Sequence, residues 1–225
     1  MPESEIILKG ISLERQISTA TCWASVAAAI GNYGRDERAG YLSPATLIVA
    51  EKIKPDLRPN DIPSRMALSD AIAKLGMQYV SEKGAEERKI DEILATHFKK
   101  ICVKTKVKGR QTAATEIIRQ ALENGKPLAL GLKPTTPLIR KKDQMLVDFT
   151  HVVLCYGAKN LDKANITVLI SDPANPLEPN SQRDFASLML GINYINVNTA
   201  GPKFLEKYEN KSVSLKIHSL IHEAF

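Results

Sequence analysis

Cysteine is scarce in this chain: three residues in 225, widely spaced and with no CxxC pair. Three thiols cannot all pair within one molecule, so neither a disulfide framework nor a cysteine-based zinc site is expected, and a reducing compartment suits the protein where it is made. No apolar run approaches the roughly 20 residues needed to span a bilayer. The start, Met1-Pro2-Glu3-Ser4-Glu5, is acidic and lacks the basic residues and apolar stretch of a secretory signal. The expectation is a cytoplasmic protein, or one exported without such a signal, with no stable membrane insertion. Aromatic residues are only 5% of the chain, and none interleaves with the basic cluster Lys99, Lys100, Lys104, Lys106, Lys108 and Arg110. A nucleic-acid site needs stacking rings or a recognition helix beside its positive charge, so nucleic acid is not an expected partner. That cluster and Arg140-Lys141-Lys142 carry much of the formal charge of +6. They read as solvated faces, with attraction to an acidic protein or membrane surface as the alternative.

What is present suits a buried core. Hydrophobic residues make up 44% of the chain, enough for one domain or two tightly joined lobes. The run Trp23-Ala24-Ser25-Val26-Ala27-Ala28-Ala29-Ile30 predicts a buried helix that starts at Cys22, is capped by Ser18, Thr19 or Thr21, and stops at Gly31-Asn32. Ser43 and Pro44 fit the cap and first position of a helix to about Ile53. Further helices are expected over about 62–75, 86–99 and 112–124, and a short strand at Met77-Gln78-Tyr79-Val80. Ile101, Val103, Thr105 and Val107 alternate with Cys102, Lys104, Lys106 and Lys108, the period of a half-exposed strand. Pro127 to Leu132, His151 to Tyr156 and Ile166 to Ile170 fit central strands. Turn-rich separations without long amphipathic helices favour a largely antiparallel sheet.

One set of residues carries chemistry. Gln16, Cys22, His151 and Asp172 supply an amide donor, a thiol, an imidazole and a carboxylate in that order. An ordinary thiol, with a pKa of roughly 8.5, is only a few per cent thiolate at neutral pH and needs a base or dipole beside it. A helix N-terminus at Cys22 favours the thiolate, and His151 can act as base. The imidazole must be held in one tautomer by an acceptor, for which Asp172 is the first choice and Asn160 or Asn175 the substitutes. Gln16 can donate to a developing oxyanion. Each residue also has an ordinary reading: a core cysteine, a satisfied core histidine, a turn-starting Asp172-Pro173, a Gln bonded to loop backbone. The order of all four is what favours catalysis. Trp23 reads as packing, Cys155 as core, and His218 with His222 as a surface segment rather than a helical metal pair. His97 and Cys102 belong to no such constellation. No cofactor and no metal is expected.

With its Cys22-Trp23-Ala24 run, its six-residue step from Gln16, the His151-Val152-Val153…Tyr156-Gly157 segment and Asp172-Pro173, the chain resembles the papain-like cysteine peptidase superfamily. The compact bacterial branches, double-glycine peptidases and the papain-like peptidases of effector proteins, match best. Ala20-Thr21 departs from the glycine and small residue that precede the cysteine in papain and the cathepsins. The resemblance implies an α+β, papain-like fold, with a helix-rich lobe over about 1–110 and a mainly antiparallel sheet lobe over about 111–225, the active site lying in the cleft between them. It implies Cys22 as nucleophile, His151 as base, Asp172 as orienting residue and Gln16 as oxyanion donor, acting on a protein or peptide substrate. The same site can serve an acyltransferase or a deamidase, and the fold can serve as a non-catalytic binding module. Substrate identity and oligomeric state are not readable from these residues.

Overall fold

The computed structural model describes residues 4–17, 21–51, 62–75, 90–107, 111–147, 150–174, 181–190, 192–195, 209 and 213–225. After a short strand β1 (Glu5–Ile7), the alanine-rich run forms α1 (Cys22–Asn32), and every residue from Cys22 to Gly31 is buried. The expected stop at Gly31 works differently from the sequence reading. Gly31 lies inside the helix, where a Cβ would meet the Phe98 ring at 2.4 Å, so glycine admits a neighbouring helix rather than ending its own. Asn32 fastens the end: its amide donates to the Ala28 and Leu42 carbonyls, both at 2.8 Å, and accepts from the Leu42 N–H.

Helix α2 (Pro44–Ala50) begins as expected, with the Ser43 hydroxyl accepting from the Thr46 N–H at 3.1 Å and Pro44 in the first turn. It ends at Ala50, before the expected Ile53. Helices α3 (Ile62–Leu75) and α4 (Ile90–Phe98) follow. The expected strand Met77–Val80, the caps Ser18 and Thr19, and Lys108, Arg110 and Asn175 lie outside the described residues. Beyond α4 come β2 (Cys102–Lys106), α5 (Gln111–Glu123), β3 (Leu128–Pro134), a small hairpin of β4 (Leu138–Ile139) and β5 (Leu146–Val147), β6 (His151–Lys159), β7 (Thr167–Ser171), β8 (Ser181–Asp184), α6 (Phe185–Leu190), β9 (Ile192–Ile195) and β10 (Val213–Glu223).

The main sheet runs β2-β10-β3-β6-β7-β8, with β1 also pairing β6 and β9 pairing β10. Every described pairing is antiparallel. The chain is therefore α+β. On one sheet face Ala129, Val152, Leu154, Tyr156, Leu169 and Ile221 join the core of α1 to α4. On the other, Leu128, Leu130, Leu132, Val153, Cys155 and Leu220 join the core of α5 and α6. Burial on both faces explains why β3 and β6 read as continuous apolar runs instead of alternating ones. The first half of the chain contributes β1 and β2 to this sheet, so the two halves of the sequence interleave within it.

Two sequence expectations change. Around β2 the apolar row is not the uniformly covered one: Ile101 is 76% and Val103 44% exposed while Thr105 and Val107 are half-buried, and Cys102 of the other row packs against the α1–α4 core. β2 lies at the end of the sheet order, α4 packs beside it, and α5 lies over β1, β6 and β10 instead. The C-terminal segment, read as surface, is the long strand β10 between β2 and β3, and His222 within it is buried. Among the described residues, no helix is long and apolar enough to cross a membrane.

Candidate active site

Cys22 occupies the first position of α1, at the positive end of the helix dipole, in an opening turn where the Ala24 N–H bonds the Thr21 carbonyl at 3.1 Å. Thr21 stands at the cap position, but its side chain makes no capping hydrogen bond, and no acidic residue in the first turn competes for that positive end. Trp23, the next residue, is packed in the core, as its apolar surroundings predict.

His151 opens β6, opposite Leu132 of β3. Its Nε2–H donates to Asp172 Oδ1 at 2.8 Å, and both groups are largely withdrawn from water, at 7% and 20% side-chain exposure. The ring also makes a hydrogen bond with the Cys22 side chain. Because Nε2 is engaged by the carboxylate, Nδ1 is the nitrogen left to face the sulfur. Burial pulls the imidazole pKa down, but the charge and hydrogen bond of Asp172, together with those of Cys22, outweigh it and push the ring up to about 10. His151 is thus held as an imidazolium at neutral pH, and that cation is the partner a thiolate needs.

Asp172 follows the last residue of β7, and its Oδ1 also accepts the Ala174 N–H at 2.8 Å, which fixes the carboxylate in its turn. The Gln16 backbone N–H donates to the Pro173 carbonyl at 2.8 Å. The loop before Cys22 is thereby tied to the turn that carries Asp172. The Gln16 side-chain oxygen is buried without a hydrogen-bond partner. That atom can only accept, so it offers a bond to a ligand donor, and any hydrogen bond to an oxyanion would have to come from the NH2 of the same amide.

The structure brings Cys22, His151 and Asp172 into one chain of contacts and ties the Gln16 backbone to the acid's turn. It does not bring Asn160 there. Asn160 lies beyond the far end of β6, about 30 Å along the strand from His151 at roughly 3.3 Å per residue, where it bonds Lys163. Cys155 sits in the opposite core with its thiol pushed up to about 12 by burial, and Cys102 is pushed up to about 11 by burial and by Glu223. Neither is an activated nucleophile. His218 and His222 lie on a strand, so the helical spacing that would pair them as metal ligands is absent; His222 instead stacks on Phe225. The parts that the residue pattern did not reveal are the Pro173 carbonyl and the Ala174 N–H, backbone groups with no side-chain signature.

No protein-family model and no curated protein matches this chain. The functional reading therefore stands on the geometry and on the residue pattern.

Proposed function

We propose that the protein is a papain-like cysteine peptidase that hydrolyses peptide or isopeptide bonds in a protein or peptide substrate. The observation that carries this reading is the contact chain from Cys22 through the His151 ring to Asp172, mounted at a buried helix N-terminus. In the reaction, the Cys22 sulfur attacks the acyl carbonyl, and the carbonyl oxygen becomes an oxyanion held by the Gln16 side-chain amide and a backbone N–H of the first turn of α1. The His151 imidazolium gives its proton to the leaving amine, which departs and leaves an acyl-thioester. The ring, now neutral, takes a proton from water as the water attacks the thioester. Collapse of the second tetrahedral intermediate releases the acid and regenerates the ion pair. Asp172 keeps Nε2 protonated throughout, so that Nδ1 is the nitrogen that moves the proton. The resemblance to compact bacterial processing and effector peptidases points to the same chemistry.

Covalent labelling by a thiol-directed peptide probe tests the assignment. Labelling is expected at Cys22, lost in Cys22→Ala and strongly slowed in His151→Ala; labelling that persists in Cys22→Ala would sink it. Intact-mass analysis of treated substrates then separates the outcomes of one site. Hydrolysis yields two fragments, deamidation adds about one dalton, and transfer adds the mass of the acceptor amine.

A further inference from the structure

The segment that leads into His151 is a structured hairpin with an unusual surface. Leu138 in β4 is fully buried in the core beneath α5 and anchors its base. The turn is braced by its own contacts: Arg140 bonds Asp143 through two nitrogens at 2.8 and 2.5 Å, the Arg140 N–H donates to the Met145 carbonyl, the Gln144 N–H donates to the Arg140 carbonyl, and Gln144 takes a φ of +57°. On this rigid frame Met145 and Leu146 are 57% and 68% exposed. Asp143 neutralises Arg140, and Glu209, whose N–H donates to the Ile139 carbonyl and whose carboxylate accepts from Gln144 Nε2 at 3.3 Å, offsets a further charge; the exposed Lys141 and Lys142 still leave the hairpin net positive.

We propose that the β4–β5 hairpin is a substrate-recognition element that takes a flank of the scissile peptide in which a large apolar residue stands beside acidic ones. This rests on the peptidase reading above and names its substrate class. Chain connectivity sets the reach. Leu146 is five residues before His151, so the two Cα atoms lie within about 18 Å. An extended peptide covers that span in about five or six residues. Met145 and Leu146 offer the apolar contact, and the two lysines favour carboxylates by charge complementarity. A hairpin held by its own hydrogen bonds loses little conformational freedom on binding, so its contacts translate into affinity.

The test is cleavage-site profiling on a proteome-derived peptide mixture with wild type, the double variants Lys141→Glu/Lys142→Glu and Met145→Ser/Leu146→Ser, and Cys22→Ala as blank. Wild-type sites are expected to be enriched in Asp or Glu beside a large apolar residue within about six residues of the cut, on one side. Synthetic peptides built on those sites, long with the flank and short without it, give the second readout. The ratio of kcat/KM for long over short peptide falls about tenfold in each double variant, while near-ultraviolet circular dichroism keeps its native form. No enrichment in wild type, or a ratio unmoved by both variants, overturns the proposal. A wild type that labels with the thiol-directed probe yet shows no flank preference defeats the hairpin's role alone. A wild type that neither labels nor cleaves defeats the peptidase reading and this inference with it.

Discussion

Burial and charge pull His151 in opposite directions, and charge prevails: the ring is pushed up to about 10 against an unfolded value of about 6.5. The native state binds this proton more tightly than the unfolded chain does, so the linked stabilisation is complete below about pH 6.5 and fades as pH rises through about 10. Asp172→Asn removes the charge that holds the proton. In a Cys22→Ala background, where the thiol no longer titrates, this substitution is expected to cost about 3 kcal/mol at pH 6, the lower end for breaking a buried pair. The cost should shrink as pH rises in urea unfolding, beginning lower than in the wild type because Cys22 no longer helps to hold the proton, and a gap that stays constant from pH 6 to 10 would show that Asp172 acts by packing rather than by charge. At Gln16 the expectation is kinetic. Gln16→Ala should lower kcat by about 100- to 1,000-fold with KM little changed, because an oxyanion donor bonds a charge that exists only at the transition state. A rise in KM at constant kcat would assign the side chain to ground-state binding instead. That Cys22, His151 and Asp172 come together was legible in the sequence because thiol, imidazole and carboxylate are side-chain types with few substitutes. The Pro173 carbonyl and the Ala174 N–H, which hold the acid turn and the Gln16 loop together, leave no mark on residue identity.

Elements whose ends are written in side chains were readable in the same way. Ser43 caps α2 by accepting from Thr46, and Ser43→Ala is expected to cost about 1 kcal/mol in thermal or urea unfolding. Gly31 shows where such reading fails. As a helix stop it would tolerate alanine with small loss, but a Cβ there meets the Phe98 ring at 2.4 Å, and Phe98 is itself buried. Gly31→Ala should therefore destabilise the protein by about 1–3 kcal/mol despite alanine's better helix propensity, and Phe98→Leu should recover part of that loss in the double variant. A stabilised single variant would remove the close α1–α4 approach from the explanation. Strand facing was harder to read than helix position. The apolar alternation over β2 has no matching buried row, because burial there depends on α4 beside it and on the strand's place at the end of the sheet order, neither of which is local information. Short pieces such as β1 and the β4–β5 pair, three and two residues long, carry no periodic signal at all.

At the scale of the whole molecule, the last strand of the sequence holds the sheet together. β10 lies between β2 and β3 and also pairs β9, and β3 in turn pairs β6, which carries His151. Its sequence disguised this. Val213, Leu215 and Ile217 alternate with Ser214, Lys216 and His218, then a register irregularity against β3 between Ile217 and Ser219 shifts the phase, and Leu220 to His222 are buried in succession. A bulge of this kind breaks the period of two on which a strand is recognised. At one end of the strand Glu223 pairs Lys100 and Lys126 at 3.1 and 3.5 Å, joining the segments after α4 and after α5. The two cores share this one sheet, so loss of β10 should reach the site from a distance. Leu220, fully buried on β10, two strands from β6 through β3, is the residue to truncate. Leu220→Ala is expected to cost about 2–5 kcal/mol. Lys216→Ala, exposed on the same strand, should stay within about 0.5 kcal/mol. If the cores unfold as one unit, the urea transition followed by far-ultraviolet circular dichroism and the transition followed by loss of probe labelling at Cys22 coincide, and Leu220→Ala moves both by the same amount. Were the two transitions to separate, with labelling lost at a midpoint that Leu220→Ala does not shift, Cys22 would rest on the α1–α4 core alone and the coupling through β10, β3 and β6 would be refuted.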